Sequence, residues 1–375
     1  MAAELKEQFF NRKVYRRMAD LLREVYPAFE ADAFYRKAVR GLNELELNDR
    51  MRRTAALFRE YLPADFGEAV AILKIFAPKL TGYSGICVPE YIGRYGSEDP
   101  KRFDAAMRAL RDVTEYSSSE FAVRLFLQRD FPRAFKYMLR WSRDKNYHVR
   151  RLASEGLRPR LPWSGQLKNL IEDPRPAFPV LEELRADSEL YVRKSVANHL
   201  NDVAKDHPDL MLDLIEAWDA GDERTAWIQK QACRALIKAG HARTLDFFGF
   251  GGKPQLKRAA QLSLSRKTLR IGEDFEFALA IEGDPQADEQ QLVLDYRVHY
   301  RKQDGSSSGK VFKLTTIALA SGATFECGKK HSFVERTTRR HYPGEHRLEI
   351  LANGEAIAEV SFQLKAASGG RARKK

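Results

Sequence analysis

The chain has 375 residues, which is enough for two or three domains with hydrophobic cores of their own. Lys and Arg number 64 against 52 Asp and Glu, and the net charge of +12 favours a polyanionic partner, most commonly nucleic acid. No apolar run approaches the roughly 18 residues of a membrane span. Three widely spaced cysteines exclude a disulfide framework and a cysteine-based zinc site, and they fit a reducing cytoplasm. We therefore expect neither secretion nor membrane insertion.

From residue 4 to about 250, apolar residues recur at three- and four-residue steps, as in segments 69–76, 121–142 and 209–218. This spacing is typical of amphipathic helices that bury one face. Residues 1–252 are therefore predicted to form one helical domain.

The helical part contains a repeat. Three nine-residue segments that begin at Val149, Val192 and Ile228 align without a gap, and their starts are 43 and 36 residues apart. This spacing is close to the roughly 40–47-residue period of HEAT and armadillo repeats. Positions one, five and nine are apolar or small, whereas positions three and seven lie on the other side of each helix and are mostly basic. The pattern predicts an α-solenoid of HEAT-like repeats with a polar face, on which Glu155 is exposed.

From about residue 256 the apolar period becomes two, which is typical of β-strands. Asn353-Gly354 is the strongest hairpin signal in the chain. About seven strands in residues 256–366 predict an all-β immunoglobulin-like sandwich. Residues 367–375 read as a flexible, basic tail.

Charge is concentrated in one part of the helical domain. The segment 124–168 holds 12 basic and three acidic residues, whereas the segment 171–222 holds five basic and 13 acidic residues. A basic surface confined to part of the solenoid would bind phosphates of a duplex without reading its bases.

No common catalytic motif is present: the chain lacks GxxxxGK[ST], GxSxG and HExxH. A few acids inside the basic segment are therefore the candidates. Glu155 should stay ionised among its arginine neighbours, and its structural alternative is an i,i+4 partner for Arg151. For Asp202 the alternative is a solvated carboxylate at a helix end.

Two further residues each allow a functional and a structural interpretation. Ser117-Ser-Ser-Glu120 matches a capping box, which would give Glu120 a purely structural role. Trp163 lies on a proline-bounded basic loop, where it either packs on its own domain or stacks on a base or deoxyribose.

Segments 121–127, 148–163 and 191–210 closely resemble the AlkC family of bacterial DNA glycosylases, relatives of AlkD in the HEAT-like-repeat alkylpurine glycosylase superfamily. The resemblance covers residues 1 to about 250. Some members of the family carry a C-terminal immunoglobulin-like domain, which residues 256–366 resemble. The resemblance implies base excision repair of cationic alkylated bases, chiefly N3-methyladenine, with N3-methylcytosine and N1-methyladenine as further candidates.

The resemblance also implies the partner and the setting. The expected partner is double-stranded DNA that contains alkylated bases, bound by a monomer without an obligate protein partner. A bacterial cytoplasmic, nucleoid-associated enzyme is expected, and it should need neither a metal nor a nucleotide cofactor.

Within this family, a carboxylate should stabilise the oxocarbenium-like sugar left by the departing base. Glu155 and Asp202 are the first candidates for that role, and Glu120 is the third. Because no lysine nucleophile is required, a monofunctional glycosylase without strand cleavage is expected.

Family resemblance further implies that the lesion is exposed by bending the DNA rather than by conventional base flipping. Trp163 is the candidate for an aromatic side chain that projects into the distorted duplex. The Arg336–Arg340 stretch is a candidate grip on the far side of the DNA. The candidates for phosphate contacts are basic residues on or near the repeat helices: Arg124, Arg150, Arg151, Arg158, Arg193 and Lys194.

Two alternatives remain at the level of the sequence. The first is a non-catalytic nucleic-acid-binding HEAT-repeat protein with an immunoglobulin-like module. The second is a protein–protein scaffold, which is a frequent use of such helical arrays.

Overall fold

The computed structural model describes residues 2–219, 221–335 and 339–367. The chain divides into two compact units, Met1–Ala232 and Cys233–Lys375. None of the helices in the described residues combines the length and the apolar character of a membrane span.

The first unit is all-helical in its described residues. Its α-helices are α1 (Ala2–Phe9), α2 (Arg12–Val25), α3 (Ala31–Val39), α4 (Leu47–Tyr61), α5 (Phe66–Phe76), α6 (Cys87–Ser97), α7 (Phe103–Val113), α8 (Glu120–Arg129), α9 (Phe131–Trp141), α10 (Tyr147–Gly156), α11 (Lys168–Glu172), α12 (Phe178–Glu183), α13 (Leu190–Val203), α14 (Pro208–Glu216) and α15 (Glu223–Ala232). Short 3₁₀ turns connect some of them, among them Gly82–Ile86.

Alternate helices of this unit form a continuous row, here called the site row: α4, α6, α8, α10, α13 and α15. Each helix of the row packs against the next. A second layer of helices covers the row from behind: α2, α5, α7, α9, α12 and α14. This arrangement confirms the solenoid of HEAT-like helical repeats predicted from the sequence.

The repeat signal has a local physical basis. Asn146 caps α10 by accepting a hydrogen bond from the backbone N–H of His148. Positions one, five and nine of the first repeat, Val149, Ala153 and Leu157, are all buried, as the periodicity predicts. In the third repeat the helix is interrupted at Cys233, so that segment spans the end of α15 and the start of the next helix.

The second unit begins with two short helices, α16 (Arg234–Ala239) and α17 (Ala242–Phe247), and continues as strands. Its strands are β1 (Gln261–Leu264), β2 (Thr268–Arg270), β3 (Asp274–Glu282), β4 (Gln290–Arg301), β5 (Ser307–Leu319), β6 (Thr324–Ser332), β7 (Gly344–Ala352) and β8 (Glu355–Lys365). The sequence does not predict α16 or α17 as members of this unit, and the boundary between 252 and 256 stays a prediction.

The strands form two sheets, ordered β1-β3-β6 and β2-β8-β7-β4-β5. Their inward side chains, such as Phe275, Leu294 and Phe362, share one apolar core. Asn353 and Gly354 have positive φ angles and join β7 to β8, as the hairpin signal predicts. The immunoglobulin-like all-β region is thus confirmed. Beyond Ala367, the predicted basic tail lies outside the described residues.

Candidate active site

The three candidate carboxylates meet on the site row in one ion-pair network. Glu120 begins α8, Glu155 lies near the end of α10, and Asp202 lies near the end of α13. Arg151 donates to Glu120 Oε2 through Nη1 and lies 3.3 Å from Glu155 Oε1 through Nη2. Arg158 donates to Glu155 Oε1 over 2.7 Å and to Asp202 Oδ2 over 2.9 Å. Acids and arginines therefore alternate across three helices; these five residues are the carboxylate–arginine network.

Glu155 is buried, with 5% of its surface exposed, so the expectation of an exposed position was wrong. The reason is that α10 packs between α8 and α13, which close both sides of its polar face. Ser195 donates to Glu155 Oε2 over 2.6 Å, so both carboxylate oxygens are held. Burial alone would raise the pKa of Glu155, but the charges of Arg151 and Arg158 outweigh it and lower that pKa. Glu155 therefore stays ionised inside the fold.

Asp202 is also buried rather than solvated at a helix end. Its Oδ2 accepts from Arg158, and its Oδ1 accepts from Lys205 Nζ over 2.9 Å. The i,i+3 spacing to Lys205 supplies this second partner from the same helix end.

Glu120 is the most accessible of the three carboxylates, with 16% of its side chain exposed. Its Oε2 accepts from Arg151 and from Ser118 Oγ, the latter over 2.8 Å. No described residue binds its Oε1. The capping-box alternative was wrong: Ser119, not Ser117, is the N-cap residue, and no side chain caps α8. Ser117 Oγ instead donates to the Gly82 carbonyl.

A cavity of about 260 Å³ opens beside Glu120, and its lining includes Tyr83, His148 and Tyr191. The rings of His148 and Tyr191 lie 5.8 Å apart, and the guanidinium of Arg151 lies 5.1 Å above the Tyr191 ring. Burial lowers the pKa of His148, which favours the neutral form of the ring.

The aromatic residues of this cavity were not predicted from the sequence, although the repeat contains a signal for them. His148, Tyr191 and Trp227 each stand one position before a repeat segment. An aromatic ring at the same repeat position on adjacent helices of one row is therefore a recognisable pattern.

Trp163 projects from the loop that follows α10. Its side chain is 53% exposed, and its φ of 63° is in the left-handed region that non-glycine residues rarely adopt. Its ring meets the edge of Tyr83, with 6.4 Å between centroids. The exposed ring and the strained backbone are typical of a residue held in place for a function.

Arg124 holds this loop in place through hydrogen bonds to backbone carbonyls. Its Nη1 donates to the Gly156 and Arg158 carbonyls, and its Nη2 donates to the Gly165 carbonyl. Arg124 is 2% exposed, and burial lowers its pKa to about 10. This placement corrects the expectation of a phosphate contact, because a buried guanidinium saturated by carbonyls cannot reach a phosphate. The expectation of a phosphate contact from Arg158 is corrected as well, because Arg158 is buried within the network.

The remaining basic candidates differ in how accessible their charged groups are to a partner. Arg150 is half-buried and forms two hydrogen bonds with Asp187. Arg193 donates to the Asp187 and Ser188 carbonyls. Lys194 is exposed, which leaves its ammonium group accessible to a partner. Of the Arg336–Arg340 stretch, residues 336–338 lie outside the described residues.

Comparison with known proteins identifies the family. Residues 95–236 match the model of the DNA alkylation repair enzyme family. Residues 258–366 match the C-terminal immunoglobulin-like domain defined from the uncharacterised protein YhaZ. The YhaZ protein of Bacillus subtilis (strain 168) is 39% identical over 363 residues, which cover 96% of this chain and 99% of YhaZ.

A solved structure is similar over the same length. The Pseudomonas fluorescens alkylpurine DNA glycosylase AlkC, bound to DNA containing an abasic site analogue, aligns with a TM-score of 0.91 and 40% identity. The alignment covers 96% of this chain and 99% of AlkC. The chain therefore belongs to the DNA alkylation repair enzymes, in the AlkC family of alkylpurine DNA glycosylases, and carries the C-terminal immunoglobulin-like domain.

Proposed function

We propose that this protein is a DNA glycosylase that excises cationic alkylated bases from double-stranded DNA. N3-methyladenine is the main substrate, with N3-methylcytosine and N1-methyladenine as further substrates. The observation that carries the proposal is the carboxylate–arginine network, together with the exposed Trp163, whose ring contacts Tyr83 in the lining of the cavity beside Glu120. Its occurrence in a chain 40% identical to an alkylpurine DNA glycosylase supports the same chemistry here.

The reaction requires little from the enzyme beyond stabilisation of the positive charge that develops on the sugar. A base methylated on a ring nitrogen carries positive charge and leaves as a neutral molecule, taking the electron pair of the N-glycosidic bond. Water then adds to C1′ of the oxocarbenium-like sugar and loses a proton. A fixed carboxylate beside C1′ lowers the barrier, because it meets positive charge that grows in the transition state.

Glu120 is the proposed catalytic carboxylate. Its Oε2 is fixed by Arg151 and Ser118, while its Oε1 is not bound by any described residue and is available to a sugar. This assignment changes the order expected from the sequence, in which Glu155 and Asp202 came first. Accessibility is the reason for the change, since the side chains of those two residues are 6% and 3% exposed.

Glu155 and Asp202 are proposed as positioning residues. Together they bind both sides of Arg158, and Glu155 also faces Arg151, which in turn binds Glu120. The orientation of Glu120 thus depends on two further acids through the arginines. Their negative charges add to the field at the sugar.

The proposed reaction ends at an abasic site. A glycosylase that also cuts the strand needs a free amine as nucleophile. Lys205, the lysine attached to the network, is bound to Asp202 Oδ1. Because the mechanism proposed above requires no amine nucleophile, we propose a monofunctional enzyme. We also propose that it acts as a monomer.

Trp163 is proposed to enter the distorted duplex, so that the lesion becomes accessible through bending rather than conventional base flipping. An aromatic wedge unstacks a base step at a cost of a few kcal/mol, which the bent complex recovers through added contacts. Lys194, Arg150 and Arg193 remain the proposed phosphate contacts from the site row, whereas Arg151, which is paired with Glu120 and Glu155, is assigned to the network instead.

The test is release of free N3-methyladenine from methylated duplex DNA by the wild type, Glu155→Gln and Asp202→Asn. We expect release by the wild type, with a loss of at least about tenfold in each variant, or roughly 1.4 kcal/mol. The abasic product should yield strand breaks only after alkali treatment. DNA binding without any release would favour the non-catalytic nucleic-acid-binding protein, and neither binding nor release would favour the scaffold.

A further inference from the structure

A second cavity of about 340 Å³ lies between α4, α6 and α8 and is bounded by the Trp163 loop. It shares no lining residue with the cavity beside Glu120. Phe121, the neighbour of Glu120 on α8, lines this second cavity. Because successive residues of a helix point about 100° apart, the two cavities lie on different sides of α8.

The mouth of the cavity offers guanidinium groups to an anion. The lining holds four arginines and two glutamates, Glu90 and Glu98. Arg52 and Arg129 are exposed; Arg52 lies 3.7 Å from Asp49, whereas within the described part of the chain Arg129 forms no ion pair. Arg94 donates to Glu90 through Nη2 over 2.9 Å, whereas its Nε is buried and has no hydrogen-bond partner among the described residues. A buried donor without a partner costs free energy unless a ligand or water binds it.

The walls of the cavity suit a nucleobase. The ring of Trp163 and the half-buried ring of Phe121 offer apolar faces. The amides of Asn48 and Gln128 line the same space and can both donate and accept hydrogen bonds. Guanidinium, aromatic and amide groups together match the phosphate, the ring face and the polar edge of one nucleotide.

We infer that this cavity holds the nucleotide of the undamaged strand that faces the lesion. The inference rests on the proposed function, in which Trp163 enters the duplex and the lesion's sugar lies at Glu120. A ring inserted between base steps unstacks and kinks the duplex, which weakens the pairing of the lesion with the base opposite it. The lesion's sugar is held on the Glu120 side of α8, so the unpaired base opposite it is placed on the other side, where this cavity lies.

The experiment measures the affinity of the full chain for two duplexes. Both contain a stable abasic-site analogue at the lesion position; opposite it, one carries thymidine and the other a second abasic analogue. We expect the wild type to bind the thymidine duplex at least about tenfold more tightly, which is the lower range for one base–aromatic stack.

The variants distinguish the contribution of the base to the affinity from that of the phosphate. Phe121→Leu and Gln128→Ala, each measured singly, should reduce the preference for thymidine and leave the affinity for the doubly abasic duplex unchanged. Arg129→Gln should weaken both duplexes equally, because both keep the phosphate. Lys136→Gln removes one exposed charge from α9, behind the site row, and serves as the matched control for charge.

Equal affinity of the wild type for the two duplexes, or equal weakening of both by Phe121→Leu and Gln128→Ala, would overturn the inference. N3-methyladenine release is measured on the same preparations. Release that persists without any dependence on the opposite base overturns this inference alone. A wild type without release overturns the proposed function as well.

Discussion

Glu155→Gln tests whether the network holds the site row together through charge. The variant keeps the shape of the side chain but removes the negative charge that Arg151 and Arg158 share. The amide oxygen of the introduced glutamine would still be able to accept a hydrogen bond from Ser195, which donates to Glu155 over 2.6 Å in the native chain. The change therefore isolates the ionic part of the interaction.

The size of the effect follows from burial. Removing one partner of a buried ion pair costs roughly 3–5 kcal/mol, because the remaining charge is left without compensation. Arg151 still faces Glu120 and Arg158 still faces Asp202, so the lower end applies. We expect the free energy of unfolding to fall by about 3 kcal/mol.

The assay is urea denaturation followed by tryptophan fluorescence. All four tryptophans, Trp141, Trp163, Trp218 and Trp227, precede Cys233, so the signal reports on the helical unit and not on the strands. Glu172→Gln, at an exposed position, is the matched control and should stay within about 0.5 kcal/mol of the wild type.

The pH dependence distinguishes charge from packing. The folded-state pKa of Glu155 is lowered from its ordinary 4.5, so its contribution is fully present above about pH 4.5 and is lost as pH falls through the folded-state pKa. The difference between the wild type and Glu155→Gln should therefore narrow below that pH. A difference that is the same at pH 7 and pH 4, or one below about 1 kcal/mol at pH 7, would refute this reasoning.

Three further predictions concern other parts of the helical unit. Trp163→Gly should leave the free energy of unfolding within about 1 kcal/mol of the wild type, because relief of the left-handed backbone offsets the lost ring contact. The same variant should lower N3-methyladenine release at least about tenfold. A larger loss of stability would show that the ring is a packing residue. Lys194→Ala should lower the slope of log affinity against log salt by about one, whereas Arg124→Met should leave that slope unchanged, as fluorescence anisotropy with duplex DNA can check. Burial lowers the pKa of His199 from 6.5 to about 4, so the helical unit should lose about 3 kcal/mol as pH falls from about 7 to 4, and His199→Gln should flatten that dependence in the urea assay.

Local patterns in the sequence predicted most of the fold. Apolar spacing identified the helices of the site row because each helix buries one stripe, as Val149, Ala153 and Leu157 do. The Asn353-Gly354 turn was readable because two consecutive positive φ angles restrict the residues that can form it. These signals depend only on neighbouring residues.

The burial of the charged residues could not be predicted from such local patterns. Glu155 and Arg124 stand on the polar sides of their helices, yet packing along the site row closes those sides. The contact from Arg158 to Asp202 joins residues 44 positions apart, which no local pattern encodes. The sequence thus identified the charged residues of the network but not which of them remain accessible.

Glu120→Gln is the most direct test of the account, which holds that an accessible, fixed carboxylate on α8 stabilises the sugar cation. The measurement is the single-turnover rate of N3-methyladenine release from duplex DNA. Glu172→Gln is the control, since Glu172 is exposed on α11 and lines neither cavity. The account predicts a loss of about 100-fold or more for Glu120→Gln and a nearly unchanged rate for Glu172→Gln. A rate for Glu120→Gln within about threefold of the wild type, less than 1 kcal/mol, would contradict it.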